Sequence, residues 1–146
     1  MTISNCYNYL SSSNYIKTTN GINAGGLVGS FYNQNTGNYK TILSNSYSIA
    51  DDISTPYVNS CGAVVGSTTM NNSEIVNCYY LSTVNKDVTE AIELTTKDIT
   101  KLDSSTLDKS ALANSLNGNP SSGLWTVDST RNNGFPILKN NKANVD

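Results

Sequence analysis

The residues that could do acid–base chemistry in this chain are few. The carboxylates of residues 1–87 are Asp51, Asp52, Glu74 and Asp87. Enzymes that cut polysaccharides on stacked-strand scaffolds use paired carboxylates, usually beside Arg or Lys. Asp51 and Asp52 are adjacent, so on a strand they point to opposite faces, whereas in a loop they could share a calcium ion. A solvated pair explains them more simply than a catalytic or calcium site, and we assign no catalytic residue, no metal ligand and no cofactor. His is absent, which removes the commonest general base and the commonest metal ligand. Cys6, Cys61 and Cys78 form neither an even disulfide set nor a C-x-x-C metal pair.

Two other residue classes suggest ligands. Gly25-Gly26-Leu27-Val28-Gly29 could suggest a phosphate cradle, but no Lys-Ser/Thr follows it and no helix signal opens after it. Trp125 and the tyrosines Tyr7, Tyr47 and Tyr79 could stack on sugars, although such residues in strands are more often plain packing, the reading favoured here. Trp125 lies between Leu124 and Val127, which favours a core role.

Composition indicates the elements that must carry these residues. Of 146 residues, 37% are hydrophobic and only 14% are charged, so solubility rests on 22 Asn and 20 Ser. Asn and Ser favour turns and disfavour helix interiors. With nine Tyr and many Thr, Val and Ile, the chain reads as short strands joined by turns. The net charge is −2 and the only Arg is Arg131, so there is no basic stripe for nucleic acid or an anionic membrane. No apolar run approaches a membrane span, and Met1-Thr2-Ile3 leads into strand-like sequence without a leader pattern.

Two motifs alternate along the first half. Ile3-Ser4-Asn5-Cys6-Tyr7 recurs as Leu43-Ser44-Asn45-Ser46-Tyr47 and again as Ile75-Val76-Asn77-Cys78-Tyr79. Between these copies, Gly25 to Gly29 recurs as Gly62-Ala63-Val64-Val65-Gly66. Units this small bury an apolar face only by stacking, which predicts a short β-solenoid over residues 1–83. Equivalent residues then form columns: an apolar column of Ile3, Leu43 and Ile75, and an amide ladder of Asn5, Asn45 and Asn77 at a bend. A small-residue column of Cys6, Ser46 and Cys78 follows, then the stacked tyrosines Tyr7, Tyr47 and Tyr79. Gly25, Gly26, Gly29, Gly62 and Gly66 supply positive φ or close backbone approach at a corner. The polar segments Ser11 to Asn23 and Asn33 to Lys40 read as projecting loops.

Residues 84–146 read as a C-terminal cap with one or two short helices. Thr96 could cap a turn holding Ile99 and Leu102. Ser104 or Ser105 could cap a helix with Leu107, Ala111, Leu112 and Leu116 on its apolar face, ended by Gly118. Leu124 to Val127 and Phe135 to Leu138 read as apolar strand segments joined through an Asn132-Asn133-Gly134 turn, and Lys139 to Asp146 as frayed. A lid with a Trp-centred patch would protect the raw sheet edge at the solenoid's C-terminal end. At the other end, Ile3 opens inside a motif, and the expectation is a chain that starts partway through a longer array.

The alternation of Ile-x-Asn-Cys-Tyr with Gly-Gly-Leu-Val-Gly resembles the GLUG repeat of bacterial surface proteins over roughly residues 3–82. Trp125 with Gly134, Phe135 and Pro136 resembles the segment that closes such arrays, Phe135 standing where Tyr is usual. Ser46 departs from the Cys column and Ala63 from the second Gly. The resemblance implies large secreted or wall-attached proteins such as adhesins and extensions of IgA-specific metallopeptidases, whose zinc chemistry sits in a separate His-Glu-x-x-His domain. The expected function is therefore a noncatalytic stalk or binding scaffold at the cell surface. Its partners would be adjacent repeats or domains of a longer chain and an unknown host protein or glycan, with no nucleic acid and no membrane insertion. The alternatives are a β-helix polysaccharide-processing fragment or a phage or secretion fibre segment.

Overall fold

The computed structural model describes residues 1–10, 15–20, 23–31, 40–56, 61–68, 73–82, 94–118 and 123–141. Strands dominate these residues, with one short α-helix. A first pass of the chain contains β1 (Thr2–Ser4), β2 (Tyr7–Tyr9), β3 (Tyr15–Lys17), β4 (Ala24–Gly25) and β5 (Val28–Phe31). A second contains β6 (Thr41–Ile49), β7 (Asp52–Ser54), β8 (Cys61–Gly62) and β9 (Val65–Thr68). Then come β10 (Ser73–Leu81), β11 (Leu94–Lys101), α1 (Lys109–Asn117), β12 (Trp125–Thr126), a 3-10 turn at Asn132–Gly134 and β13 (Ile137–Leu138). No helix among the described residues is long and apolar enough to cross a membrane.

The repeated motifs pair with their own next copies, always in parallel. Ile3 lies opposite Leu43 and Leu43 opposite Ile75, while Tyr7 lies opposite Tyr47 and Tyr47 opposite Tyr79. Gly25 pairs with Gly62, and Val28 with Val65. The main sheet runs β1–β6–β10–β11, with β2 also on β6; β3–β7, β4–β8 and β5–β9 form separate two-stranded sheets. β3 lies within the segment Ser11 to Asn23 that reads as a loop; its alternating Tyr15-Ile16-Lys17 finds a partner in β7. Residues 11–14, 21–22 and 33–39 of the expected loops lie outside the described residues, as does the 83/84 boundary.

A left-handed residue breaks the strand alternation and gives the sheet its two faces. Asn5, Asn45 and Asn77 have φ of 55°, 50° and 52°. Asn tolerates this region far better than other residues with a Cβ, which explains the column. Leu43 and Tyr47 are four apart and would share a face on a regular strand. The Asn between them shifts the parity, so Leu43 enters one apolar cluster and Tyr47 another. Likewise Ile75, Cys78 and Tyr80 face the first cluster, and Tyr79 and Leu81 the second.

The inner cluster fills the space between the main sheet and the glycine-motif strands. It holds Phe31, Leu43, Val64, Val65, Ile75 and Cys78, with Leu43 and Ile75 at 0% exposure. Each such aliphatic side chain contributes about 1.5–3 kcal/mol on burial. The glycines serve close approach, not positive φ, since none of the motif glycines is left-handed. A Cβ on Gly62 would collide with the Val65 carbonyl, and one on Gly25 would meet the Val28 carbonyl and stand 2.6 Å from the Gly66 nitrogen. Gly26 leaves room for the Ser48 hydroxyl, whereas Gly29 is less crowded, with its nearest neighbour at 3.7 Å.

The tail departs from its sequence reading in four places. Residues 94–101 form β11, parallel to β10, instead of a helical turn capped by Thr96. Ile99 joins the inner cluster and Leu102 the outer one, so these two residues do not share a helical face. The helix is capped by Asp108, whose carboxylate accepts from the Ser110 and Ala111 N–H groups at 2.8 and 3.0 Å. Ser105 instead donates to Asp103, and the buried helix residues are Leu112, Ala113 and Leu116, with Ala111 exposed. Leu107, just before the cap, joins Leu112 in the outer cluster as a hydrophobic staple. Gly118 ends the helix at φ 64°, as expected. Lys139 and Asn141 are held by backbone bonds to Leu124 and Leu138, and residues 142–146 lie outside the description.

Candidate functional site

The candidate surface is the tyrosine face of the main sheet, with the asparagine ladder along one side. Tyr7 and Tyr47 stack with centroids 5.5 Å apart and planes at 12°. The tail covers this row. Trp125, 2% exposed, sets its edge against Tyr7 at 5.8 Å and tilts against Tyr47 at 5.6 Å, and Phe135 lies 5.5 Å from Tyr9. The Tyr47 hydroxyl donates to the Pro136 carbonyl at 2.5 Å. At the first pass, Asn133 donates to the Tyr9 hydroxyl at 2.6 Å and Asn141 to the Tyr7 hydroxyl at 2.7 Å. These contacts reach back to residues 7 and 9, so the tail lies across the face of the sheet. The expected lid over the C-terminal end is replaced by this arrangement, because the parity shift at Asn turns an aromatic row outward that needs covering.

Burial decides what this row can do. An indole 2% exposed cannot stack on a sugar, so Trp125 serves the core. Tyr47 is fully buried, and burial, with the Tyr7 hydroxyl adding to it, pushes its phenol well above the ordinary range. The outer cluster is completed by Ile49, Leu112, Ala113 and Leu116.

Asn77 is where the ladder meets the tail. Its amide nitrogen donates to Asn45 at 2.7 Å and to the Ser115 carbonyl near the end of α1 at 2.8 Å. Its amide oxygen accepts the Tyr79 hydroxyl at 2.8 Å, and its backbone N–H meets the Asp98 carboxylate at 2.9 Å. The tail has a second anchor that sequence reading misses. The Asn117 side chain pairs with both backbone groups of Trp125, accepting from N at 2.8 Å and donating to O at 3.1 Å. Its only sequence signal is an Asn in the last helical turn, which many helices share.

The small-residue column has a repeated bond. Cys6 donates to Ser4 O, Ser46 to Ser44 O and Cys78 to Val76 O, each to the carbonyl two residues back across the bend. A hydroxyl or a thiol meets this requirement, so Ser46 is a functional equivalent of the flanking cysteines. All three cysteines are free. Burial pushes the Cys78 thiol up to about 12 and raises Cys61 as well, so neither is primed as a thiolate nucleophile.

The remaining candidate groups are dispersed. Asp52 lies on β7 opposite Tyr15, with Asp51 just before the strand, and both are half-buried. Glu74 pairs with Lys40 at 2.8 Å on the surface, and Asp87 lies outside the described residues. Among the described residues no three His, Cys, Asp or Glu side chains gather where a metal ion could sit. Comparisons with protein-family models, with curated proteins and with solved structures found no match.

Proposed function

We propose that this chain is a noncatalytic structural or adhesion module of a bacterial cell-surface or secreted protein, built as a short β-solenoid of GLUG-like repeats whose tail packs along one face. The observation that carries this reading is the register. Ile3, Leu43 and Ile75 align, as do Gly25 with Gly62 and Tyr7 with Tyr47 and Tyr79, so the recurring residues are occupied in holding one pass to the next. A stack of this kind acts as a spacer or scaffold, and contacts with a host protein or glycan then fall to the variable segments between motifs. Cys78, Tyr47 and Trp125 are committed to packing.

Three measurements test this. Directly opposed residues in adjacent parallel strands sit roughly 4.8 Å apart, inside the range a disulfide spans. Ser46→Cys, oxidised, is therefore expected to form a disulfide to Cys6 or Cys78; all four thiols remaining free in the folded variant would overturn the stack. Cleavage of a bacterial or host polysaccharide that disappears in Asp51→Ala or Asp52→Ala would overturn the noncatalytic reading, and trimerisation in solution would favour a fibre segment.

A further inference from the structure

Among the described residues, the first pass is an edge of every sheet in which it takes part: β1 and β2 pair only with β6, β3 only with β7, β4 only with β8 and β5 only with β9. The backbone groups facing β6 include Met1 O, Asn5 N, Cys6 O and Leu10 N, bonded to Ile42, Ser44, Tyr47 and Ile49. Alternation along a parallel strand then turns the N–H and C=O of Thr2, Ser4, Tyr7 and Tyr9 to the other side. The side chains at this edge are similarly incomplete. Leu43 and Ile75 are fully buried but Ile3, the end of their column, is only half-buried. Cys6 is half-buried where Ser46 and Cys78 are buried. Asn5 carries the same left-handed bend as Asn45 and Asn77 and reaches Ser4 Oγ at 3.4 Å.

The far edge of the main sheet is built differently. β11 has no left-handed residue, so β10 uses one residue more between Ile75↔Lys97 and Cys78↔Ile99. The Asp98 carboxylate takes the Asn77 N–H, whereas in the first pass the Asn5 N–H goes to the Ser44 carbonyl of the next strand. Asp98 thus stands in for a missing repeat. With Lys97 and Lys101 on the same strand, β11 is a charged terminal strand of the kind that blocks further pairing.

A second copy of the chain fits the open edge poorly. Two copies meeting there about a two-fold axis would pair antiparallel. Aligning their two left-handed bends sets Ile3 opposite Tyr7, residues that face opposite clusters. Moving the axis by half a residue opposes the bend to Cys6, which is not left-handed, and sets Ile3 against the amide of Asn8. A parallel strand with its own left-handed Asn at the matching position meets neither difficulty.

We propose that the edge formed by Thr2–Ser4 and Tyr7–Tyr9 binds, in parallel register, an extended strand of another polypeptide with the pattern apolar-x-Asn-(Ser or Cys)-Tyr, while the β11 edge does not. This inference rests on the stacked-repeat reading. The test uses the 146-residue chain and a fluorescent peptide with the sequence of β6, flanked by lysines for solubility. Saturable binding is expected, with slowed amide exchange at Thr2, Ser4, Tyr7 and Tyr9. Changing the peptide's Asn to Val should weaken binding about ten-fold, the size expected for forcing a β-branched residue into a left-handed bend. Ser4→Pro in the chain removes an outward N–H and should abolish binding with Trp125 fluorescence unchanged; Thr2→Pro is the second variant should the first fail to fold. Equal binding of the reversed or Asn→Val peptide, protection at β11, or self-association through residues 2–9 would overturn the proposal. If the disulfide at positions 6 and 46 forms and the peptide still fails to bind, the edge proposal falls and the stack stands; if the disulfide also fails, both fall.

Discussion

The two faces of the main sheet are packed by opposite strategies. On the inner face, each residue meets its own repeat: Leu43 lies between Ile3 and Ile75, and the glycine strands close over them in the same register. On the outer face, a row of tyrosines from the repeats meets a tail that repeats nothing, through Trp125, Phe135, Leu112 and Leu116. The inner face could be extended by adding another unit, whereas the outer face is a single fitted interface. One left-handed Asn per strand separates the two, because it turns a single strand's apolar residues to both sides.

The comparison is tested most severely at Trp125. Trp125→Ala removes the centre of the outer face and should cost about 4 kcal/mol, as large buried aromatics do. If the faces are separable, urea unfolding should show the tail released first, with amide protection kept at Leu43 and Ile75; simultaneous loss would make the two faces one cooperative unit. Leu43→Ala is the counterpart on the inner face and should cost roughly 3 kcal/mol, measured as a shift in denaturation midpoint. It should weaken β1 and β10 together, since Leu43 is packed between them.

Asn45 tests the divider itself. Asn45→Ala should cost about 2 kcal/mol from left-handed strain and the lost amide bond, and Asn45→Gly should recover the strain portion alone. If Ala and Gly cost the same, the ladder bond dominates and the bend is unimportant. Tyr47→Phe leaves the Pro136 carbonyl without its donor and should cost about 1.5 kcal/mol. The same variant should delete the last phenol step in an alkaline absorbance titration. Because the folded Tyr47 phenol is raised, its contribution is full below the ordinary phenol range near 10 and is lost as pH climbs through the folded value. The smallest effect belongs to the tail's exposed turns. Bonds from the Ser105 hydroxyl and N–H hold Asp103 below the usual carboxylate range, and those from Thr130 do the same for Asp128. Their contribution is present above about pH 4 and is lost as pH falls through the lowered folded values, so Asp103→Asn and Asp128→Asn should each slightly flatten the acid limb of a stability–pH curve.

Much of this was legible in the residues. The repeat columns follow from sequence because parallel in-register pairing puts like on like, so recurrence of Ile, Asn, Cys or Ser, and Tyr predicts contact directly. The Asn column also encodes its backbone, since few other residues accept φ near 50°. The end of α1 at Gly118 and the Asn132-Asn133-Gly134 turn are local signals of the same kind.

Tertiary structure decided what local signals leave balanced. The face taken by Tyr47 depends on one dihedral two residues away. Ile99 and Leu102 have helical spacing, but the open edge of β10 drew the Thr-rich segment around Ile99 into a strand. Gly62 could have served a turn or a close approach, and only the position of the Val65 carbonyl shows which. The tail's resting place was likewise set by the sheet: an aromatic row turned to solvent has more to gain from a Trp-centred cover than a sheet edge where the Asp98 carboxylate already takes the Asn77 N–H. The sequence by itself therefore determined which residues stack on which. The tertiary structure decided which side of the sheet they face and what covers them, because both depend on groups distant in the chain competing for the same apolar surface.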